Sequence, residues 1–61
     1  MPVIKVEIAS LPKEKKQAVI EKLTQTMAEI TNIPPQAFVV YINEYDADNI
    51  GVGGVPLSAP R

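Results

Sequence analysis

Few residues in this chain can do chemistry, and Pro2 comes first among them. Initiator methionine is generally removed when a small residue follows it, and proline qualifies. The product is a secondary amine at the chain start, with its lone pair fixed in direction by the ring. An ordinary α-amino group titrates at about 7.7–8.0. An apolar pocket or a nearby cation disfavours the charged form and lowers that value. A neutral amine at pH 7 can take a proton next to a carbonyl and return it elsewhere on the conjugated system.

The alternatives to Pro2 are removed by composition. The chain contains no histidine and no cysteine. A Ser–His–Asp or Cys–His arrangement therefore cannot form, nor can a zinc site of thiolate and imidazole. Asp46 and Asp48 alone are too few for a dedicated calcium loop. Gly51-Val52-Gly53-Gly54 is followed neither by Lys-Ser or Lys-Thr nor by a helix, so it is not a phosphate-binding loop. No metal site is expected.

Charge narrows the partners. Six Lys plus Arg against seven Asp plus Glu give a formal charge of −1. Nucleic-acid binding is led by a basic patch, and none is present. A ribbon-helix-helix reading also fails, because Lys5 beside Glu7 is not a basic first strand. No apolar run approaches the roughly 20 residues that span a bilayer. The start, Met-Pro-Val-Ile-Lys, has no charged segment leading into an apolar one. The expected location is the cytoplasm, with no membrane partner.

Several elements must position Pro2. Val3 to Ile8 alternates, with Ile4, Val6 and Ile8 on one face and Val3, Lys5 and Glu7 on the other, and this pattern predicts a strand. Ser10 is a candidate N-cap, and Pro12 is tolerated in a first helical turn. From Lys13 to Thr31 the period becomes helical. Val19, Leu23, Met27 and Ile30 form the apolar stripe, with Ile20 alongside. Lys15, Lys16, Lys22, Gln25 and Glu29 are assigned to the opposite side. Asn32 accepts left-handed geometry, and Pro34-Pro35 blocks continuation. Phe38 to Glu44 is β-branched and aromatic, predicting a second strand that is largely apolar on both faces. Tyr45 to Asn49 reads as a turn. The glycine-rich tail, through Val55 to Arg61, reads as a short hairpin or an arm.

A helix of nearly twenty residues between two strands favours a parallel βαβ unit with a right-handed crossover. The fold class is therefore α+β, a single domain over residues 1–61. A chain this short buries only roughly 60% of its unfolded surface, and such chains usually need a staple. Without disulfide or metal, oligomerisation remains. One helix covers one sheet face, so the other face and the edges call for copies of the chain.

Met-Pro, a short alternating strand, one long helix, a second strand ending in Asn43-Glu44, and Asn49-Ile50-Gly51-Val52-Gly53-Gly54 together resemble the 4-oxalocrotonate tautomerase family. The resemblance covers essentially the whole chain. It implies a βαβ protomer that pairs sheets into dimers and assembles as a trimer of dimers, a hexamer. It implies an active site at a subunit interface, with the amino-terminal proline as general base and acid. The implied reaction is keto–enol or enol–enone isomerisation of a small enol or keto acid, without a cofactor.

The departures from the family pattern bear on substrate. The family has an arginine in the loop after the first strand, where this chain has Ser10-Leu11-Pro12. It has another on the second strand, aligned with Val39, and an aromatic residue where Ile50 stands. The chain's single arginine is Arg61. A preorganised donor of that kind is typically worth on the order of 10²–10³ in rate, so a dicarboxylate is expected to be a poor substrate. Asp46-Ala47-Asp48-Asn49-Ile50-Gly51-Val52-Gly53-Gly54 is similar to a divergent branch that also lacks the second-strand arginine. The resemblance places Ala9, Val39, Ile50 and Val52 along the pocket. Tyr41, directed like Val39, is a candidate hydrogen-bond donor to an enolate. Lys5, Lys13 and Arg61 are the candidate replacements for the absent positive charge. The alternative to an enzyme is a weak or inactive oligomeric module on the same scaffold.

Overall fold

The structure, a computed structural model, describes residues 1–60. Its main body is a parallel strand pair crossed by one helix. β1 (Val3–Ile8) pairs with β2 (Val39–Glu44) in a register that sets Val3 beside Val39, Lys5 beside Tyr41 and Glu7 beside Asn43. α1 (Lys13–Thr31) connects them. Alternation along β1 follows the expected parity: Ile4, Val6 and Ile8 are half-buried, while Val3, Lys5 and Glu7 are exposed. On β2, Val39, Val40 and Ile42 are half-buried, while Tyr41 is 52% exposed and Asn43 is exposed, so the outer face is open beyond Val39.

The helix begins and ends on backbone signals. Ser10 does not cap it. Pro12 occupies the boundary position in extended geometry, without a side-chain cap, and its carbonyl accepts the Lys16 amide at 3.0 Å. The reason is Pro12 itself, which disfavours helical geometry at Leu11 and leaves Ser10 too far upstream. At the other end Asn32 takes φ 59° and its N–H reaches the Ala28 carbonyl at 2.9 Å. The second strand starts at Val39 rather than Phe38, because the Phe38 N–H closes a 3₁₀ turn onto Pro35 at 3.1 Å.

Two helix assignments change. Lys16 is not on the outer side: its Nζ reaches Glu44 Oε1 at 2.8 Å. Of the expected stripe only Val19 and Leu23 are half-buried: Ile20, Met27 and Ile30 are exposed, Ile30 at 72%, and Ala28 is half-buried in their place toward the helix end. Glu44 also accepts the Leu11 N–H at 3.0 Å and so clamps the loop after β1 to the end of β2. Its pKa is lowered from the ordinary 4.5, first by the Lys16 hydrogen bond and then by the Leu11 N–H. A lowered native value means a stabilising contribution present above about pH 4.5 and lost as pH falls through the native pKa. Glu44→Gln is therefore expected to lower Tm at pH 7. The gap between variant and wild type should close in acid, as read by thermal denaturation across pH 3–7.

Beyond β2, a 3₁₀ turn at Ala47–Asn49 leads into a hairpin of β3 (Gly51–Val52) and β4 (Val55–Pro56). Gly53 and Gly54 have φ of 61° and 83°, the two positive values that a type I′ turn requires. The hairpin forms its own two-stranded sheet, separate from β1 and β2. The Leu57 N–H bonds the Ile50 carbonyl at 2.8 Å, and the Ser58 hydroxyl bonds Asp48. The glycine-rich tail is thus a hairpin, the first of the two expected forms.

No side chain among the described residues is fully buried. The accessible surface is 4811 Å², where a compact monomer of 6.6 kDa has about 3,900 Å². The radius of gyration is 14.9 Å, against about 10.5 Å for a compact chain of this length. Among the described residues no helix is long and apolar enough to cross a membrane.

Candidate active site

Pro2 stands at the entry to β1 and is half-buried. Its carbonyl accepts the Val39 N–H at 3.0 Å, which extends the ladder by one bond and fixes Pro2 beside Val39. The strand pair thus delivers two of the expected site residues to one place. While Met1 is attached, the Pro2 nitrogen is an amide and carries no basic lone pair. Tyr41 lies one step further along the same outer face. With Lys5, Glu7 and Asn43 it lines a shallow polar depression of about 350 Å³.

Ala9 and Ile50 come together at the opposite end of the sheet. They line a concavity of about 310 Å³ with Glu7, Ile8, Tyr45 and Leu57. Backbone bonds build it: the Tyr45 N–H reaches the carbonyls of Ile8 and Ala9, both at 3.0 Å. Leu57 is held over Ile50 by the tail bond already described. Val52 lines neither depression and is 62% exposed on the hairpin. The seven-residue rise from Pro2 to Ala9 amounts to about 23 Å in extended chain. One chain therefore separates Pro2 and Val39 from Ala9 and Ile50.

The candidate cations are also dispersed. Lys5 faces outward, beside Tyr41 in register. Lys13 lies on the helix side, in a depression with Lys16, Gln17 and Glu44. Arg61 lies outside the described residues.

Glu7 and Tyr45 were not read from the sequence as site residues. The Tyr45 hydroxyl donates to Glu7 Oε1 at 3.3 Å across the end of the concavity. The Glu7 charge, then desolvation, then the hydrogen bond raise the Tyr45 phenol from its ordinary 10.0 and keep it neutral. Strand parity could have found this pair. Tyr45 follows Tyr41 and Asn43 at two-residue steps, and Asn43 is the register partner of Glu7.

The family model described as Tautomerase enzyme matches residues 2–59. A probable tautomerase of Bacillus cereus is 36% identical over 59 residues, covering 95% of this chain and 97% of that protein. Among solved structures, a 4-oxalocrotonate tautomerase isozyme from Methylibium petroleiphilum is 37% identical. It superposes with a TM-score of 0.85 over 95% of each chain. DmpI from Archaeoglobus fulgidus is 36% identical with a TM-score of 0.86, over 95% of this chain and 100% of that one. A likeness this long, in sequence and in the path of every element, is decisive: the chain belongs to the tautomerase enzyme family, with the 4-oxalocrotonate tautomerase fold and an isomerase-type role.

Proposed function

We propose that the protein is a cofactor-free tautomerase whose general base is the Pro2 amine, freed by removal of Met1. The observation that carries this is the family match, which begins at Pro2 itself. Pinning of Pro2 by the Val39 amide gives the nitrogen a defined position at the sheet end. The substrate is a small conjugated enol or keto acid. The neutral nitrogen takes the enol O–H proton, the electron pair moves through the conjugated system, and the ammonium returns the proton to the far carbon.

The working unit is a homo-oligomer, with a trimer of dimers as the arrangement. The separation of about 23 Å along β1 supports a second copy in the working unit, because Pro2 can meet an Ala9–Ile50 wall only if another copy supplies it. Apolar side chains from that copy would lower the amine pKa by disfavouring its charged form. Titration of the ¹⁵N-labelled Pro2 amine in the assembled, Met1-free protein tests the reading. A value near about 7 or below is expected, and an ordinary α-amino value of about 7.7–8.0 would count against it.

A further inference from the structure

The concavity that unites Ala9 with Ile50 carries an anion and no cation. Its titratable lining groups are Glu7 and Tyr45, and the remaining wall is Ile8, Ala9, Ile50 and Leu57. Lys5, two positions back on the same strand face, shares the neighbouring polar depression with Glu7 but, among the described residues, forms no ion pair with it. The Tyr45 hydroxyl is directed at the Glu7 carboxylate and holds it at the rim of the apolar wall. We propose that Glu7 makes this wall select uncharged enol and ketone substrates over their carboxylate-bearing counterparts. The inference rests on the Pro2 reading for its chemistry, and on this concavity for its specificity.

The magnitude follows from Coulomb's law. Two like unit charges about 6 Å apart, at an effective dielectric constant of about 20–40, give discrimination on the order of 10–100-fold. Tyr45 cannot neutralise the charge, because a phenol that stays protonated donates one hydrogen bond and leaves the carboxylate anionic. The apolar remainder of the wall offers a carboxylate substrate no compensating donor, and burying an unpaired charge is costly. The usual expectation of an enol or keto acid is thereby narrowed to the neutral members of that chemistry.

The test compares phenylenolpyruvate with its methyl ester, which share a skeleton and differ by one charge. Wild type should favour the ester in kcat/KM by at least about tenfold. Glu7→Gln should bring the ratio toward one, chiefly by lowering KM for the acid. Tyr45→Phe, which keeps the Glu7 charge, should retain the preference. Binding is read separately from turnover through the Ala9 and Ile50 methyl resonances, with the saturated acid and ester as probes. The ester should shift them at a concentration at least about tenfold lower than the acid does, and Glu7→Gln should close the gap. A preference for the acid, an unchanged ratio in Glu7→Gln, or methyl resonances unmoved by both probes would overturn the proposal. Pro2→Ala on the ester separates the two readings. Turnover that survives in Pro2→Ala while Glu7→Gln still shifts the ratio removes the base assignment alone. Turnover lost in Pro2→Ala with the ratio indifferent to Glu7 removes the specificity assignment alone.

Discussion

Pro2→Ala is expected to lower kcat/KM by about 10²–10⁴-fold toward a conjugated enol, the usual range for loss of a positioned acid–base group. Alanine still offers an amine after Met1 removal, but without the ring the lone pair rotates freely. A second protein that retains Met1 should fall further, because its Pro2 nitrogen is a tertiary amide. Neither change touches the bond from the Val39 N–H to the carbonyl of residue 2. The strand register, the helix content and the oligomer should therefore match wild type. Circular dichroism and sedimentation velocity check that half of the expectation, and steady-state kinetics check the other. Wild-type turnover by the alanine protein would move the base elsewhere in the molecule.

The second large effect concerns folding. An accessible surface some 900 Å² above that of a compact monomer, with no fully buried side chain among the described residues, leaves the single chain little core, and it is expected not to be stable alone. Tm should rise with protein concentration, and dilution into the dissociating range should remove helix signal and association together. A monomeric two-state folder would show neither dependence. Ile20→Asp sharpens the test. Ile20 is 42% exposed on the single chain and borders a groove of about 700 Å³ shared with Thr24, Ala28, Ile33 and Pro34. On an isolated chain the loss of the covered part of Ile20 costs only about 1–2 kcal/mol. If a neighbouring copy covers the groove, the aspartate leaves a charge buried without a partner. The expected result is a protein that neither assembles nor folds at micromolar concentration. A stable, folded Ile20→Asp monomer would contradict the proposed assembly.

Strand parity and helical period made the body of the fold legible. The bounds of β1 and α1 and the left-handed Asn32 follow from alternation, period and residue type alone. Where the reading failed, tertiary contact overrode a local rule. Ser10 suits a helix cap, yet Pro12 sets the boundary. Lys16 looks like a solvent residue until Glu44 of the distant β2 receives it. Ile30 fits an apolar stripe in sequence, but little in the single chain covers it. The candidate site is legible only as a set: the sequence offers Pro2 with Ala9, Val39, Ile50 and Val52 as one pocket, and it is the parallel register that sets Pro2 beside Val39 and Ala9 beside Ile50 at opposite ends of the sheet. Glu7 and Tyr45 are each ordinary residues taken alone, and only strand parity combined with the parallel register pairs them. Their meeting is a property of two strand ends side by side.

The Gly53–Gly54 turn has a consequence for assembly kinetics. In the proposed assembly, a hairpin closed by its own hydrogen bonds, apart from the main sheet, would reach a neighbouring copy already shaped. Ordering a flexible tail at the moment of contact would cost on the order of 1–2 kcal/mol per residue in backbone freedom. That entropy is surrendered within the protomer, so docking of the hairpin on another copy would proceed more nearly as a rigid-body encounter. Residues with a side chain at these two positive-φ sites would loosen the arm before they altered any contact it makes.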